Sequence, residues 1–145
     1  MSNTPSVEIL QPNDNYQEAL DVRYRVFVEG QGVPVEIEQD GEDKHCTHFV
    51  VHSHDKPVGA GRLRELDDET VKIERMAVLE EHRNQGLGRQ MLNAMLDLAK
   101  ERGYPEAMLN AQMTAVAFYR QAGFEETGER FYEAGIPHIR MERAL

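Results

Sequence analysis

The sequence predicts a mixed fold of the α+β class, and three patterns in the chain lead to that prediction. Three apolar, strand-like segments follow one another between residues 46 and 79, with polar turns between them. A stripe of apolar residues at helical spacing then covers residues 87–102. Glycine and proline divide the remainder into further short strands and helices, without a repeat or a linker. A chain of 145 residues with these elements is expected to form a single domain, 1–145.

The N-terminal part of the chain predicts one strand, one helix and one loop. Residues 7–10 form a short apolar strand, and residues 15–28 form a helix. The apolar residues that give this helix its spacing are Tyr16, Leu20, Tyr24 and Phe27. Residues 29–43 contain glycines, a proline and six acidic residues, which predicts a loop with a short helix after Pro34.

Three strands and a helix follow this loop. The strands cover residues 46–54, 57–66 and 71–79, and the acidic residues 67–69 make the turn between the last two. We therefore expect an antiparallel meander. The helix over residues 87–102 ends at Gly103, since glycine readily adopts the left-handed backbone that closes a helix.

The C-terminal part continues the mixture of strands and helices. Residues 107–112 form a short apolar strand, and a short helix capped by Thr114 comes after it. Two last strands, 124–131 and 138–143, flank a turn that contains Pro137.

The composition limits the classes of function. A formal net charge of -10 argues against general nucleic-acid binding, because a phosphate backbone would be repelled. No stretch is long and apolar enough to span a bilayer, and residues 1–12 lack the basic and apolar regions of a signal peptide. Cys46 is the only cysteine, so no intramolecular disulfide can form. We therefore expect a cytoplasmic protein without membrane partners.

The segment from Arg83 to Gly88, with the sequence Arg-Asn-Gln-Gly-Leu-Gly, lies between an apolar strand and the long helix. The first amides of a helix have no intrahelical partner and carry a partial positive charge, so they bind phosphates. Glycines at 86 and 88 let an anion approach these amides, and Arg83 and Arg89 add charge. The residues required in a P-loop or a dinucleotide fingerprint are missing. The simpler interpretation is a glycine-rich turn that only opens a helix.

Two separated stretches resemble the GNAT superfamily of acyl-CoA-dependent N-acetyltransferases. Residues 73–79 followed by the segment 83–88 are similar to its central strand and pyrophosphate turn, and residues 115–124 are similar to its alanine, tyrosine and glycine-phenylalanine pattern. The predicted elements of nearly the whole chain follow the family's arrangement, and residues 27–34 and 135–138 resemble a bacterial stand-alone subgroup. One departure is Gln112, where the family often has asparagine.

The resemblance implies a mostly antiparallel central sheet of six to seven strands, splayed between the fourth and fifth strands and flanked by about four helices. It implies transfer of an acetyl group from acetyl-CoA to a primary amine by direct attack in a ternary complex. The residues it assigns to acetyl-CoA binding are Met76, Ala77, Val78, Arg83, Asn84, Gln85, Gly86, Leu87, Gly88, Arg89, Asn110, Ala115, Phe118 and Tyr119. The alternative is a catalytically silent module that binds acyl-CoA.

Direct attack requires an acid and a base. Tyr119 matches the family's tyrosine and is the predicted acid, although the residue could simply fill the core. Glu74 is the predicted base, because strand alternation places it on the same face as Met76. A salt bridge to an arginine is the alternative role of Glu74. His138 is a second candidate base.

The acceptor amine should meet the first helix, the acidic loop and the C-terminal turn. The residues predicted to bind it are Phe27, Gln31, Val33, Glu36 and His138. The acidic loop favours a cationic small-molecule amine or a lysine-bearing acceptor, unless it is only a solvated face. Homodimer formation through a sheet edge stays open.

Two further sites are considered and set aside. Cys46 is not expected to be a covalent nucleophile, since direct attack needs no acyl-enzyme. Histidines crowd one predicted strand, and three of them would share a face: His48, His52 and His54. Zinc ligands usually come from separated segments with defined spacing, so no metal is expected.

Overall fold

A computed structural model of the protein describes residues 4–145 and contains one seven-stranded sheet. The spatial order of the strands is β1-β2-β3-β4-β5-β7-β6, and every neighbouring pair is antiparallel except β4–β5. The strands are β1 (Ser6–Leu10), β2 (Thr47–Ser53), β3 (Lys56–Glu65), β4 (Thr70–Val78), β5 (Glu106–Gln112), β6 (Glu125–Glu133) and β7 (Ile136–Ala144). The predicted mixed α+β class and the mostly antiparallel sheet are confirmed.

Four α-helices accompany the sheet. They are α1 (Gln17–Arg23), α2 (Val35–Glu38), α3 (Leu87–Glu101) and α4 (Val116–Gln121). The apolar stripe of α3 is buried, and its members are Leu87, Met91, Leu92, Met95, Leu96 and Ala99. This stripe forms one core with buried residues of the sheet, which fixes the N-terminus of α3 beside the end of β4.

Strands β4 and β5 are paired over only four residue pairs. The parallel register runs from Thr70–Glu106 to Ile73–Leu109, whereas β4 continues to Val78 and β5 continues to Gln112. The far side of β5 remains paired with β7 along its whole length. The sheet therefore opens between its fourth and fifth strands, as predicted, and leaves an edge of β4 beyond Ile73 without a strand partner.

A β-bulge interrupts β4 at this opening. The register with β3 moves from Arg62–Glu74 to Ala60–Ala77, and Arg75 adopts a left-handed φ of 58°. An extra residue in one strand shifts the alternation of side chains beyond it. The expectation that Glu74 and Met76 share a face is therefore wrong.

Three boundaries differ from the sequence-based prediction. The first helix is α-helical only to Arg23 and continues as a π-helix over Tyr24–Glu29. Thr114 does not cap α4, because it lies inside a preceding 3₁₀ turn and no side chain caps that helix. Pro137 is the second residue of β7 rather than part of the turn, which proline tolerates because the pairing with β5 ends at His138.

Candidate functional site

The N-terminus of α3 exposes its backbone amides. Asn84 and Gly86 adopt positive φ values of 63° and 78°, which turn the chain sharply from the end of β4 into the helix. The Gln90 amide donates the first backbone hydrogen bond, to the Gly86 carbonyl at 3.0 Å, and no side chain caps the helix. The preceding amides are available to an anion, because a helix leaves its first donors without intrahelical partners.

One aromatic and one aliphatic side chain border this turn. A Cβ atom added at Gly88 would lie 3.5 Å from the Phe118 ring and 3.8 Å from Val78, so α4 packs beside the start of α3. A Cβ at Gly86 would meet nothing within 4 Å, which leaves the approach to the turn open. Arg83 donates from Nε to the Val78 carbonyl at 3.0 Å and remains exposed.

A cavity of about 670 Å³ occupies the opening between β4 and β5. Most of the predicted site residues line this cavity: Phe27, Gln31, Val33, Glu74, Met76, Ala77, Val78, Arg83, Asn110, Ala115, Tyr119 and His138. The residues from Asn84 to Arg89 lie at the adjoining helix turn, where Phe118 packs against Gly88. Glu36 does not line the cavity and is exposed.

Tyr119 lies at the wall of the cavity with only 8% of its surface exposed. Its ring packs edge-on against Phe118, with centroids 5.0 Å apart, and against Phe124 at 6.0 Å. No group among residues 4–145 hydrogen-bonds to its hydroxyl, and burial raises the pKa of the phenol well above its ordinary value. The hydroxyl therefore keeps its proton at neutral pH and can donate it.

Glu74 also lines the cavity, but both of its carboxylate oxygens are engaged by cations. Oε1 lies 3.1 Å from Arg62 and 3.3 Å from Arg64, and Oε2 lies 3.1 Å from Lys72. Only 8% of the Glu74 side chain is exposed. Glu74 thus makes the salt bridges that were the alternative role considered for it.

Those salt bridges belong to a larger network that holds the acidic loop against the sheet. Arg62 is fully buried and contacts Asp40 at 2.7 Å and Asp43 at 2.9 Å, while Arg23 contacts Asp43 at 2.7 Å and Glu38 at 3.0 Å. Burial alone would raise the pKa of the Asp40 carboxyl, but the hydrogen bonds and charge of Arg62 outweigh it and lower that pKa far below its ordinary range. The network is therefore ionised at neutral pH.

The ion pairs give the carboxylates of the acidic loop a structural role instead of the predicted role in attracting a cationic acceptor. Of its six carboxylates, four are paired with arginines, namely those of Glu38, Asp40, Glu42 and Asp43. Their charges are largely neutralised inside the protein, so they attract an external cation less than the sequence suggested. Glu36, which was predicted to bind the acceptor, has no ion pair among residues 4–145 and lies outside the cavity.

Two glutamines that line the cavity hydrogen-bond to each other. Gln31 follows the π-helix, Gln112 ends β5, and each donates to the other, at 3.3 Å and 2.9 Å. Both side chains are in contact with the cavity. These reciprocal hydrogen bonds connect the acidic loop to β5 on the far side of the opening.

His138 lies opposite Gln112 on β7 and lines the cavity. Its Nδ1 lies 2.7 Å from the Ile136 carbonyl, which can only accept a hydrogen bond, so Nδ1 carries the proton. Nε2 lies 3.6 Å from a Glu133 oxygen, beyond normal hydrogen-bond distance. The ring also stacks on Phe131, with centroids 5.9 Å apart.

Comparison with known proteins assigns the chain to a family. Residues 12–145 match the family model described as "Acetyltransferase (GNAT) domain". The chain belongs to the GNAT acetyltransferase family. A relative from Bacillus subtilis (strain 168), the uncharacterized N-acetyltransferase YjcF, is 40% identical over 134 residues, which cover 92% of this chain and 95% of YjcF. The protein is therefore an acyltransferase.

Solved structures of GNAT proteins share this fold. An acyl-CoA N-acyltransferase from Pseudomonas aeruginosa superimposes with a TM-score of 0.87 at 28% identity, covering 97% of this chain and 100% of that protein. A GNAT family acetyltransferase from Elizabethkingia anophelis, solved with acetyl-CoA bound, has a TM-score of 0.75 at 19% identity, covering 99% and 100% of the two chains. The second likeness concerns the fold alone.

Several polar residues that line the cavity of this GNAT domain were not predicted. They are Asp40, Arg64, Lys72, Arg75, Gln112, Thr114 and Glu133. Basic residues alternate along β3 and β4, and the acidic loop has the opposite charge. This complementarity is the signal that could have indicated the ion-pair network.

The cysteine and the histidines considered from the sequence have separate surroundings in this GNAT protein. Cys46 is fully buried, and burial raises the pKa of its thiol to about 11, which makes it a poor nucleophile. His48 contacts the Asp43 carbonyl, whereas His52 contacts Glu18, so the predicted histidine face is divided. No helix among residues 4–145 has the length and apolar character that crossing a membrane requires.

Proposed function

We propose that this GNAT protein transfers an acetyl group from acetyl-CoA to a primary amine by direct attack in a ternary complex. The observation that carries the proposal is the continuity of three features: the free amides at the start of α3, the unpaired edge of β4, and the cavity wall that contains Tyr119. Acetyl-CoA is an extended molecule with a pyrophosphate at one end and a thioester at the other. Its parts match this order.

The turn from Arg83 to Gly88, here called the anion turn, and the open edge of β4 fit the two ends of such a substrate. Pyrophosphate oxygens would accept hydrogen bonds from amides near Gly86 and Gly88, with Arg83 and Arg89 at the rim. The pantetheine amides would pair with the β4 backbone at Met76, Ala77 and Val78, in the manner of an added strand. The acetyl-CoA bound to the Elizabethkingia anophelis protein supports this use of the fold.

The protons of the reaction can be balanced with groups of this site. The ammonium loses one proton to a base before it attacks the thioester carbon, while the Met76 N–H polarises the carbonyl oxygen. The C–S bond then breaks, and Tyr119 gives its proton to the departing sulfur. The second proton of the attacking nitrogen restores the phenol, so the products are an amide, a thiol and one released proton.

A thiol-release assay tests the proposed function. Purified protein would be incubated with acetyl-CoA and a panel of primary amines that includes amino acids, polyamines, aminoglycosides and lysine peptides. Calorimetry with CoA would measure binding in parallel. Amine-dependent release of CoA thiol supports the enzyme, whereas tight CoA binding without turnover of any amine would identify a silent acyl-CoA-binding module.

The anion turn gives a separate prediction. Gly88→Val would place a branched side chain beside Phe118 and the free amides, so the dissociation constant for CoA should rise about ten-fold. Asp97→Val is the matched control, since Asp97 is an exposed position of the same helix and reports only the lower helix propensity of valine. If calorimetry gave both variants the same affinity for CoA, the proposal that the pyrophosphate binds at this turn would be wrong.

The acceptor side of the cavity supports a narrower set of contacts than the sequence suggested. Phe27, Gln31 and Val33 line the cavity and remain the proposed acceptor contacts, together with His138. Charge reversal at Glu38 would disrupt its ion pairs with Arg23 and Arg75, so it would report on folding rather than on the acceptor.

A further inference from the structure

We propose that His138 is the general base, with Nε2 taking the proton from the acceptor ammonium. This inference rests on the proposed acetyl transfer and names a residue for its first proton step. The proton leaves the amine nitrogen for Nε2, the ring becomes an imidazolium, and the freed lone pair attacks the thioester carbon. Three observations lead to this assignment.

The first observation is the fixed orientation of the imidazole. The hydrogen bond from Nδ1 to the Ile136 carbonyl, at 2.7 Å, sets the tautomer in which Nε2 has the lone pair. Stacking on Phe131 holds the plane of the ring. No group among residues 4–145 hydrogen-bonds to Nε2, and the residue lines the cavity. A neutral ring held in this way has one nitrogen available for a substrate proton.

The second observation is the position of His138 along the opening. From the last β4–β5 pair, Ile73–Leu109, Met76 lies two register steps further along β4 when the bulged Arg75 is discounted. On β5 the same distance leads to Ala111, and the next residue, Gln112, is paired with His138. His138 therefore lies within about one register step, or about 3.3 Å, of the level of Met76.

The third observation concerns the alternative base. Both oxygens of Glu74 are already in contact with cations, with three positive side chains around one carboxylate. Neither oxygen is therefore free to accept a proton from the substrate amine. Glu74 is thus assigned to the ion-pair network that anchors the acidic loop.

The surroundings of His138 provide an exit for the proton. On β6 the ring faces Phe131 and Glu133, on β5 it is opposite Gln112, and Gln31 reaches Gln112 from the acidic loop. Among these groups only Glu133 is charged. Its carboxylate lies 3.6 Å from Nε2 with half of its side chain exposed, so it can stabilise the imidazolium and pass the proton to water.

The decisive experiment compares His138→Asn with the wild-type protein, using the amine that the panel identifies. The asparagine amide can still donate to the Ile136 carbonyl but has no group in place of Nε2. We expect kcat to fall about 100-fold, with unchanged calorimetric affinity for CoA. The acidic limb of the pH profile of kcat/KM, which reports protonation of the base, should disappear. His54→Asn, at an exposed turn histidine, is the matched control and should keep both rate and profile.

Nuclear magnetic resonance provides a readout that does not depend on turnover. Long-range ¹H–¹⁵N spectra of ring-labelled protein should show that the neutral ring of His138 carries its proton on Nδ1. An Nε2-protonated ring would overturn the proposal. So would a His138→Asn variant that retains the wild-type rate and acidic limb while wild-type protein acetylates an amine. If the wild-type protein acetylates no amine, the proposed function fails first, and the base assignment fails with it.

Discussion

Replacing Tyr119 with phenylalanine is expected to lower kcat about 100-fold while the affinity for CoA stays within a factor of about two. The substitution removes one oxygen and keeps the ring that packs against Phe118 and Phe124. The hydroxyl has no hydrogen-bond partner among residues 4–145, so its loss leaves no buried group unsatisfied. Stopped-flow thiol release and calorimetry with CoA would measure the two quantities.

Burial sets the sign of the pH dependence for this residue. Because burial raises the pKa of the Tyr119 phenol, the acid form persists above the ordinary tyrosine value of about 10. The wild-type rate should therefore show no loss from Tyr119 ionisation between neutral pH and that value. Tyr132→Phe is the matched control, since Tyr132 is 78% exposed on β6. An unchanged kcat for Tyr119→Phe would show that the ring serves only to fill the core.

Arg62→Met is expected to reduce the free energy of unfolding by about 3–5 kcal/mol, a large share of the total of about 5–15 kcal/mol for a domain. The arginine is fully buried and contacts Asp40, Asp43 and Glu74 at 2.7–3.1 Å. Methionine fills similar space but leaves these carboxylates close together with fewer cations. Urea unfolding at neutral pH would measure the difference between variant and wild type.

Lowering the pH should reduce the difference in unfolding free energy between the Arg62→Met variant and the wild-type protein. In the wild-type protein the pKa of Asp40 and that of Asp43 are lowered, so their contribution is present above the unfolded value of about 3.9 and is lost only as pH falls through the folded values. In the variant the carboxylates repel one another and take up protons at higher pH. Arg140→Met, at an exposed ion pair with Glu142, should cost less than about 1 kcal/mol. If Arg62→Met also lowered the free energy of unfolding by less than about 1 kcal/mol, the network would not be stabilising the fold.

The regular elements were predictable because their patterns are local. The meander appears as β2, β3 and β4, and the apolar stripe predicted over 87–102 appears as Leu87–Glu101 with Gly103 just beyond it. The opening of the sheet followed from the family resemblance. These features depend on hydrophobic period, turn residues and known fold, all of which a single sequence contains.

The roles of single side chains were less predictable because they depend on contacts between distant segments. The bulge at Arg75 adds one residue to β4, and strand alternation could not anticipate it. The carboxylates of the acidic loop contact arginines that lie fifteen or more residues away in the sequence, as Arg62 does from Asp40. A loop that seemed to attract cationic substrates is therefore largely an internal partner of the sheet.

The short junction between β4 and β5 divides the chemical groups of the protein into two sets. The anion turn and the open strand edge belong to the part of the chain before Glu106, whereas Tyr119 and His138 belong to the part after it. Only four residue pairs join the two parts within the sheet. A substrate lying along β4 is thus bound by the part before Glu106, whereas the groups that exchange protons with it belong to the part after Glu106. The width of the opening beyond this junction therefore sets the distance between the thioester and the groups that exchange protons with it.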